Sequence, residues 1–401
     1  MANDEDTRQD HAYQEGEGLQ KDHSQEDEGL QKDHSQEDEA PGKGHVHEGE
    51  GLEKTVEEVP RTLSGARLAR LLALALLLGA AVMVFLLSRS GVEGLRALRE
   101  VAPLPMALAL LAVTTSWVFT AASLVFLAMA TQTPRPLRRV FPAFMAGNFV
   151  GLVTPFGSGG TPGQAYFLSR LGIAPGTAFA LAVARGLISS VLVAGATTIA
   201  VAFPTRWLPA GLLGEAARSG LVVVAALLLV ATLLAVSNRP AEWSASWAKR
   251  SRRPMIRRFW TALSSQTHLF RDALRAVARS PVALAGAVVC EIFAWALMIA
   301  VGPLVLIALG WNGPVLALYL RILAMFLVIP VSPTPGSSGT AELAFFLIGR
   351  GIVPEGLLPP GVLLWRLLIY YLPVAVGGAF IAWFGVRRAR ERAAGGGKEA
   401  A

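Results

Sequence analysis

Long apolar segments, separated by short basic connections, make up most of the chain. A helix that crosses a bilayer needs about 20 apolar residues in succession. Six segments are long enough, namely 69–88, 105–130, 176–202, 218–236, 281–309 and 358–385. With a mean hydropathy of +0.48, these segments predict an all-α integral membrane protein with six full spans.

Two further apolar stretches are shorter, and each runs into a motif rich in Gly and Pro. A short helical pattern follows each motif and is again too brief to cross a membrane. We therefore predict a re-entrant pair of half-helices around each motif, facing protein or a wet cavity rather than lipid. An eight-span arrangement with kinked or tilted helices stays open as the alternative. The apolar stretches are 140–153 and 316–332, the motifs occupy 154–166 and 333–347, and the patterns that follow cover 161–171 and 340–350.

The two motifs are related in sequence. Aligning Gly160–Ile173 with Gly339–Ile352 gives seven identities in fourteen positions. An arginine follows each copy inside the next apolar segment, Arg185 in the first half and Arg366 in the second. Paired segments that Gly and Pro interrupt in corresponding halves indicate the binding site of a transporter.

Arginine and lysine positions predict the orientation of the spans. Basic residues cluster before the first segment, after the second, in the connection 237–280 and after the last segment. All four places lie on one side if six segments cross the bilayer. Because basic connections favour the cytoplasmic side, we predict a multi-pass protein of a bacterial or archaeal cytoplasmic membrane with both termini in the cytoplasm. The two halves then have opposite orientations, which makes them inverted-topology repeats.

The charge pattern also divides the chain into five regions. Residues 1–60 carry 19 acidic and 5 basic residues and an 11-residue tandem repeat, which predicts a disordered acidic cytoplasmic tail. The connection 237–280 combines arginines with aromatic residues, which predicts a basic amphipathic cytoplasmic helix at the membrane surface. The other regions are a first membrane repeat at 61–236, a second membrane repeat at 281–388 and a cytoplasmic tail at 389–401.

Charged residues inside the apolar segments are the first candidates for function. A charge at the depth of Arg185 costs several kcal/mol unless it is paired or hydrated, so it is a functional candidate by default. Arg366 holds the equivalent place in the second half, with Tyr370 one turn later, where the ring can orient the guanidinium. A planar guanidinium suits phosphate recognition. Both arginines are therefore candidate phosphate ligands, and pairing with another buried group is the structural alternative.

The acidic candidates are less clear-cut. Glu342 is a further candidate substrate-binding residue at the start of the short helical pattern after the second motif. It either caps the helix or forms a coupling site that exchanges protons or pairs with an embedded arginine. Glu291 and Arg321 are structural or coupling charges, which pair with each other or with Arg185 and Glu342.

The small polar residues of the motifs place backbone N–H groups at helix N-termini, where anions bind readily. A tight turn between packed helices is the structural alternative. These candidate substrate-binding residues are Thr154, Ser158, Gly159, Gly160, Thr161, Gln164, Tyr166, Thr334, Ser337, Ser338 and Gly339.

Other classes of function find little support in the sequence. It contains no hydrolytic triad, phosphate-binding loop, dinucleotide-binding fingerprint or zinc ligand set, and Cys290 is the one cysteine. We therefore expect no enzyme activity, cofactor or metal. Its positive charge lies between apolar segments, which argues against nucleic-acid binding.

Both motifs resemble signatures of a known family. The pattern Thr-Pro-x-Gly-x-Gly-Gly-x-Pro-x-Gln-x-Tyr at 154–166 is similar to the first signature of the lysylphosphatidylglycerol synthase transmembrane-region family. The pattern Pro-Thr-Pro-Gly-x-x-Gly-x-x-Glu at 333–342 is similar to the second, together with the Trp-Arg-Leu-Leu and Tyr-Tyr-Leu-Pro sequences at 365–368 and 370–373. The resemblance covers residues 65–388.

This resemblance implies a lipid flippase domain, since the best-known members move an aminoacylated phosphatidylglycerol across the bilayer. In those members a cytosolic aminoacyl-transferase domain follows, whereas here only residues 386–401 follow the last segment, so we expect a stand-alone member without synthetase activity. Many members carry Gly-Gly-Glu-x-x-Arg in the first signature, and here Thr161 and Gln164 take the acidic and basic positions. The departure argues against a lysyl-lipid substrate.

The combined expectation is a protein that flips a phospholipid or lipid-linked headgroup between leaflets through a central cavity between the two motifs. Its expected partners are membrane lipids that are anionic or carry phosphate. Two alternatives stay open: a membrane accessory subunit of a lipid-modifying enzyme, and a carrier of a small soluble anion. The sequence also leaves open a homo-oligomer and a docking partner for the acidic tail.

Overall fold

The structure is a computed structural model that describes residues 96–202, 239–250, 254–329 and 332–396, with isolated helical positions in 77–88 and 222–233. The described residues form helices joined by short turns, with no strand among them. The acidic tail 1–60 lies outside the described residues, and so do the predicted spans 69–88 and 218–236 apart from those isolated positions.

Four of the predicted spans coincide with long apolar helices. Among the described residues, four helical stretches are long and apolar enough to cross a membrane, which confirms an all-α membrane protein. They are α1 (Pro103–Ala130), α4 (Pro175–Ala202), α7 (Pro281–Ala308) and a broken stretch made of α10 (Leu358–Arg366), a π-helical turn (Leu367–Tyr371) and α11 (Leu372–Gly396). Each of the first three helices begins with a proline, which suits the first turn of a helix because no intrahelical bond is lost there.

Helices α1 and α7 form an antiparallel pair. The Ala102 N–H donates to the Ala308 carbonyl at 2.8 Å, which joins the start of α1 to the end of α7. Farther along, Phe119 stacks on Phe293 with 5.3 Å between the ring centroids. The C-terminal ends of α1 and α7 therefore lie at opposite ends of the bundle.

The first motif forms the tip of a helical hairpin. Helices α2 (Leu137–Val153) and α3 (Gly160–Ser169) pack antiparallel around a short turn, Pro155–Gly157, which we call the first tip. The backbones approach closely, because a Cβ on Gly147 would lie 2.6 Å from the Gln164 backbone. At the base, Arg135 Nε donates to the Leu171 carbonyl at 2.8 Å, which places the base beside the C-terminus of α1.

The second motif forms a matching hairpin. Helices α8 (Val315–Val328) and α9 (Thr340–Gly349) flank a turn at Pro335–Ser337, the second tip. Trp311 Nε1 donates to the Ile352 carbonyl at 3.0 Å, which places the base of this hairpin beside the C-terminus of α7.

The two hairpins extend from opposite ends of the bundle and meet at their tips. Their bases lie at the C-termini of α1 and α7, and the two tips contact each other. In both tips the middle residue has a left-handed backbone, Phe156 with φ 55° and Gly336 with φ 60°. The sequence repeat thus corresponds to two copies of the same broken element, directed against each other.

The predicted basic connection also forms helices. Helices α5 (Arg239–Arg250) and α6 (Pro254–Arg279) are amphipathic, and α6 packs against α4. The Gln266 side chain accepts a hydrogen bond from the Gly176 N–H at 2.7 Å, so α6 caps the start of α4.

The close contact inside the first hairpin gives a test of the fold. Gly147→Ala should destabilise the protein by about 1–3 kcal/mol, because the added Cβ overlaps the Gln164 backbone. The matched control is Gly195→Ala in α4, where nothing lies within 4 Å of the added Cβ. Thermal unfolding of both variants in detergent measures the difference, and equal transition temperatures would contradict the packing.

Candidate functional site

A cavity of about 470 Å³ lies where the two tips meet. Both embedded arginines, Arg185 and Arg366, line it. The two tips contribute Phe156 and Gly157 on one side and Gly336 and Ser337 on the other. The cavity therefore joins the two halves of the protein, as the duplicated motif predicts.

Arg366 forms a buried ion pair with Glu342. Its Nε donates to Glu342 Oε1 at 2.7 Å, and the two side chains are only 4% and 1% exposed. The other carboxylate oxygen of Glu342 accepts the Gly339 N–H at 2.7 Å, at the start of α9. Glu342 is thus both the cap of α9 and the counter-ion of Arg366.

The same arginine also holds the second tip. Its two terminal nitrogens each donate to the Gly336 carbonyl at 3.1 Å, and its Cζ lies 4.8 Å from the centre of the Tyr370 ring. A Cβ on Gly336 would overlap that ring, and the residue has a positive φ, so only glycine fits. The π-helical turn at Leu367–Tyr371 follows directly, and such turns occur often at functional sites.

Three buried polar atoms make no hydrogen bond to the other described residues apart from a contact between two of them. They are Ser338 Oγ, Trp365 Nε1 and Tyr370 Oη, and the Ser338 and Tyr370 side chains interact with each other. Trp365 and Tyr370 both line the cavity. Buried polar groups normally have partners, so Trp365 Nε1 is a donor that a ligand in the cavity can use.

Arg185 is held much less tightly than Arg366. Its Nε donates to Gln164 Oε1 at 3.2 Å, and its Nη1 lies 3.7 Å from Glu291 Oε1. Its side chain is 17% exposed, compared with 4% for Arg366. Several guanidinium N–H groups of Arg185 are therefore free to bind a ligand in the cavity.

Glu291 has other partners that satisfy its charge. Ser123 donates to Oε1 at 2.7 Å, and Ser189 donates to Oε2 at 2.6 Å. Hydrogen bonds stabilise a buried carboxylate. Glu291 consequently does not depend on a tight contact with Arg185.

Several predicted residues bind the backbone of the tips. Thr154 Oγ1 donates to the Val150 carbonyl at 2.9 Å and accepts the Gly159 N–H at 2.9 Å. In the second tip, Thr334 donates to the Ser338 carbonyl at 2.8 Å and Ser337 to the Ile329 carbonyl at 2.9 Å. These hydroxyls partner backbone groups that the helix breaks leave free.

The structure brings together about half of the predicted site residues. Those that line the cavity are Gly160, Thr161, Gln164, Arg185, Glu291, Ser337, Arg366 and Tyr370. The predicted residues outside the described cavity lining are Thr154, Ser158, Gly159, Tyr166, Arg321, Thr334, Ser338, Gly339 and Glu342. Arg321 pairs with neither glutamate in a described contact, and its Nη1 donates to the Ile348 and Arg350 carbonyls at 2.8 and 3.1 Å, at the end of α9.

Sequence reasoning missed two polar residues of the lining, Thr120 and Asn148, and several aromatic ones. Asn148 lies in α2, and no hydrogen bond joins its side chain to another described residue. The sequence could have identified Asn148, because it is a polar amide inside the apolar stretch 140–153. The sequence could not identify Trp117, Phe144 and Trp295 as cavity residues, because aromatic side chains are common in buried membrane helices.

The buried ion pair can be tested with a double-mutant cycle. Glu342→Gln alone should cost about 3–5 kcal/mol, because it leaves the Arg366 charge buried without a counter-ion. Adding Arg366→Gln should restore part of that loss, so the double variant is more stable than the sum of the single effects. Thermal unfolding of the four proteins measures the coupling.

The exposed pair between Arg350 and Glu355, at 3.4 Å, is the control for this cycle. Arg350→Gln should change stability by less than about 1 kcal/mol. Additive effects at Glu342 and Arg366 would contradict a functional ion pair between them.

The chain is similar in sequence to known membrane proteins. The chain is 24% identical to a UPF0104 membrane protein of Archaeoglobus fulgidus over 242 residues, which cover 58% of this chain and 72% of that protein. The model of the lysylphosphatidylglycerol synthase transmembrane region matches residues 71–377, an interval that contains both hairpins, both arginines and the cavity. The chain therefore belongs to the lysylphosphatidylglycerol synthase transmembrane-region family.

Proposed function

We propose that this protein translocates a phospholipid, or another lipid with a phosphate-bearing headgroup, between the leaflets of its membrane. The observation that carries the proposal is the cavity between two opposed hairpin tips, lined by two embedded arginines. Its volume of about 470 Å³ lies in the range typical of small-ligand sites. The headgroup crosses through the cavity while the acyl chains stay in lipid.

In this proposal each hairpin is re-entrant and the two halves are inverted repeats in the membrane. The hairpins extend from opposite ends of the bundle, which supports inversion. Six full spans and cytoplasmic termini complete the arrangement. Two broken helices that meet near the bilayer centre are the architecture of alternating-access carriers.

Arg185 is the residue we assign to the headgroup phosphate. Its loose contacts with Gln164 and Glu291 leave donors available, and a guanidinium binds phosphate through parallel hydrogen bonds. Arg366 is assigned a supporting role, since Glu342 and Gly336 already use three of its N–H donors. Sequence alone assigned both arginines to the phosphate.

The cavity chemistry favours a headgroup without extra positive charge. In the described lining, Glu291 is the carboxylate, and two serines and Arg185 already contact it. A lysyl headgroup would need a free acidic partner for its ammonium groups. The engaged carboxylate also supports transport without chemical conversion, since no described acidic group of the lining is free to act as a base.

Leaflet exchange in proteoliposomes tests the proposal. Arg185→Gln should slow the exchange of an anionic phospholipid at least about tenfold, since a hydrogen bond to a charged group contributes about 1.5–3 kcal/mol. Arg185→Lys should be intermediate, because it keeps the charge but loses the planar donors. Arg96→Gln, at an exposed position before α1, is the matched control.

Three outcomes separate the possibilities. Equal exchange by wild type and Arg185→Gln would remove the role of Arg185. Exchange of every lipid at the rate of protein-free liposomes would overturn translocation itself. Uptake of soluble phosphate without lipid exchange would favour a carrier of small anions.

A further inference from the structure

A second cavity, of about 430 Å³, lies at the base of the first hairpin. The start of α2, the end of α3 and the last apolar turns of α11 form its walls. The hydrogen bond from Arg135 to the Leu171 carbonyl closes the hairpin at the same end. This cavity shares no described lining residue with the central one.

Its charge is strongly positive. Arg138, Arg139, Arg170 and Arg387 line it, and no described acidic residue does. The side chains of Arg138, Arg139 and Arg170 make no ion pair or hydrogen bond with other described residues. Because Arg138, Arg139 and Arg170 carry like charges in one cavity, an anion that binds among them is stabilised by all three.

The remaining lining is apolar and aromatic. Tyr166 and Trp383 lie among the arginines, and the Arg387 Cζ is 5.7 Å from the centre of the Trp383 ring. Deeper in the wall, Phe167 packs on Phe384 with 5.2 Å between ring centroids. Tyr and Trp beside basic residues at the end of membrane helices are typical of the interface with lipid headgroups.

We propose that this cavity binds the headgroup of an anionic phospholipid. The arginines hold its phosphate, and the aromatic and aliphatic wall holds the glycerol and the first part of the acyl chains. A soluble anion would gain the charge contacts but not the apolar ones, so the lining favours a lipid. Basic pockets between membrane helices on the cytoplasmic side are known to bind anionic headgroups. The arginine distribution predicts that this end is cytoplasmic, and the inference does not depend on translocation through the central cavity.

Tyr166 has a role in this arrangement that the first motif alone did not suggest. It lies two residues after Gln164 on α3, yet Gln164 lines the central cavity and Tyr166 lines this one. The duplicated motif therefore supplies residues to two sites, one at the tip of the hairpin and one at its base.

Native mass spectrometry of the full chain tests the inference. The protein carries Arg185→Gln throughout, so that lipid in the central cavity does not mask the second site. Titration with phosphatidylglycerol in a phosphatidylcholine background should show a bound anionic lipid. The triple variant Arg138→Gln, Arg139→Gln, Arg170→Gln should bind it at least about tenfold more weakly, because it removes three positive charges that attract the anionic headgroup.

A matched variant removes the same charge at the opposite end of the bundle. Arg96→Gln, Arg99→Gln, Arg350→Gln should leave the affinity for phosphatidylglycerol unchanged, and thermal unfolding checks that both triple variants are folded. Equal affinity in the Arg138 triple variant and its control would overturn the site. Displacement of the lipid by an equal concentration of glycerol 3-phosphate would overturn its assignment to a lipid.

Discussion

A helix that breaks inside a membrane protein leaves backbone N–H and carbonyl groups that need partners, and this requirement organises the centre of the molecule. Water is scarce there, and an unpaired polar group costs several kcal/mol. Arg366 binds the Gly336 carbonyl, Glu342 caps the Gly339 N–H, and Thr154 binds the Gly159 N–H. Arg366, Glu342 and Thr154, which the sequence assigns to a substrate, therefore stabilise the two breaks in the helices.

Much of the fold could be predicted from the sequence because its signals are local. The described apolar helices and the four short helices of the hairpins begin and end within a few residues of their predicted bounds, since Gly and Pro mark each break. The exception is α11, which continues to Gly396, eleven residues beyond the predicted end of its span at 385. The sequence listed Glu291 among the partners of Arg185, and an embedded arginine as a partner of Glu342, but it could not choose among the pairings, because Arg366 and Glu342 are 24 residues apart and Arg185 and Glu291 are 106 apart. Distance in sequence carries no information about which buried charge meets which. The aromatic lining of the cavity was hidden for a similar reason, since its residues look like ordinary core residues.

The two halves keep the same architecture but differ in chemistry. In the second half Glu342 pairs with the arginine at 2.7 Å, whereas in the first half the neutral amide of Gln164 accepts the hydrogen bond and the carboxylate of Glu291 lies 3.7 Å away. The difference follows from the sequence, in which the position of Glu342 corresponds to Gly163 in the aligned repeat. Glu342 consequently neutralises the charge of Arg366, while Arg185 keeps guanidinium N–H donors available for a ligand. The two related hairpins therefore share one architecture, and Arg185 is the arginine whose N–H donors stay available for a ligand.

The contacts of Arg366 are tighter than those of Arg185, and this difference affects how firmly each hairpin is fixed. In the second hairpin, Arg366 at the end of α10 binds both Glu342 and the Gly336 carbonyl of the tip. These contacts hold the second hairpin in place. In the first hairpin, Arg185 of α4 meets Gln164 of α3 through one hydrogen bond of 3.2 Å, which a phosphate can replace. Under the proposed function, the second hairpin is therefore the fixed element and the first hairpin is the one that moves. The phosphate of the bound lipid would release the first hairpin by replacing its hydrogen bond from Arg185.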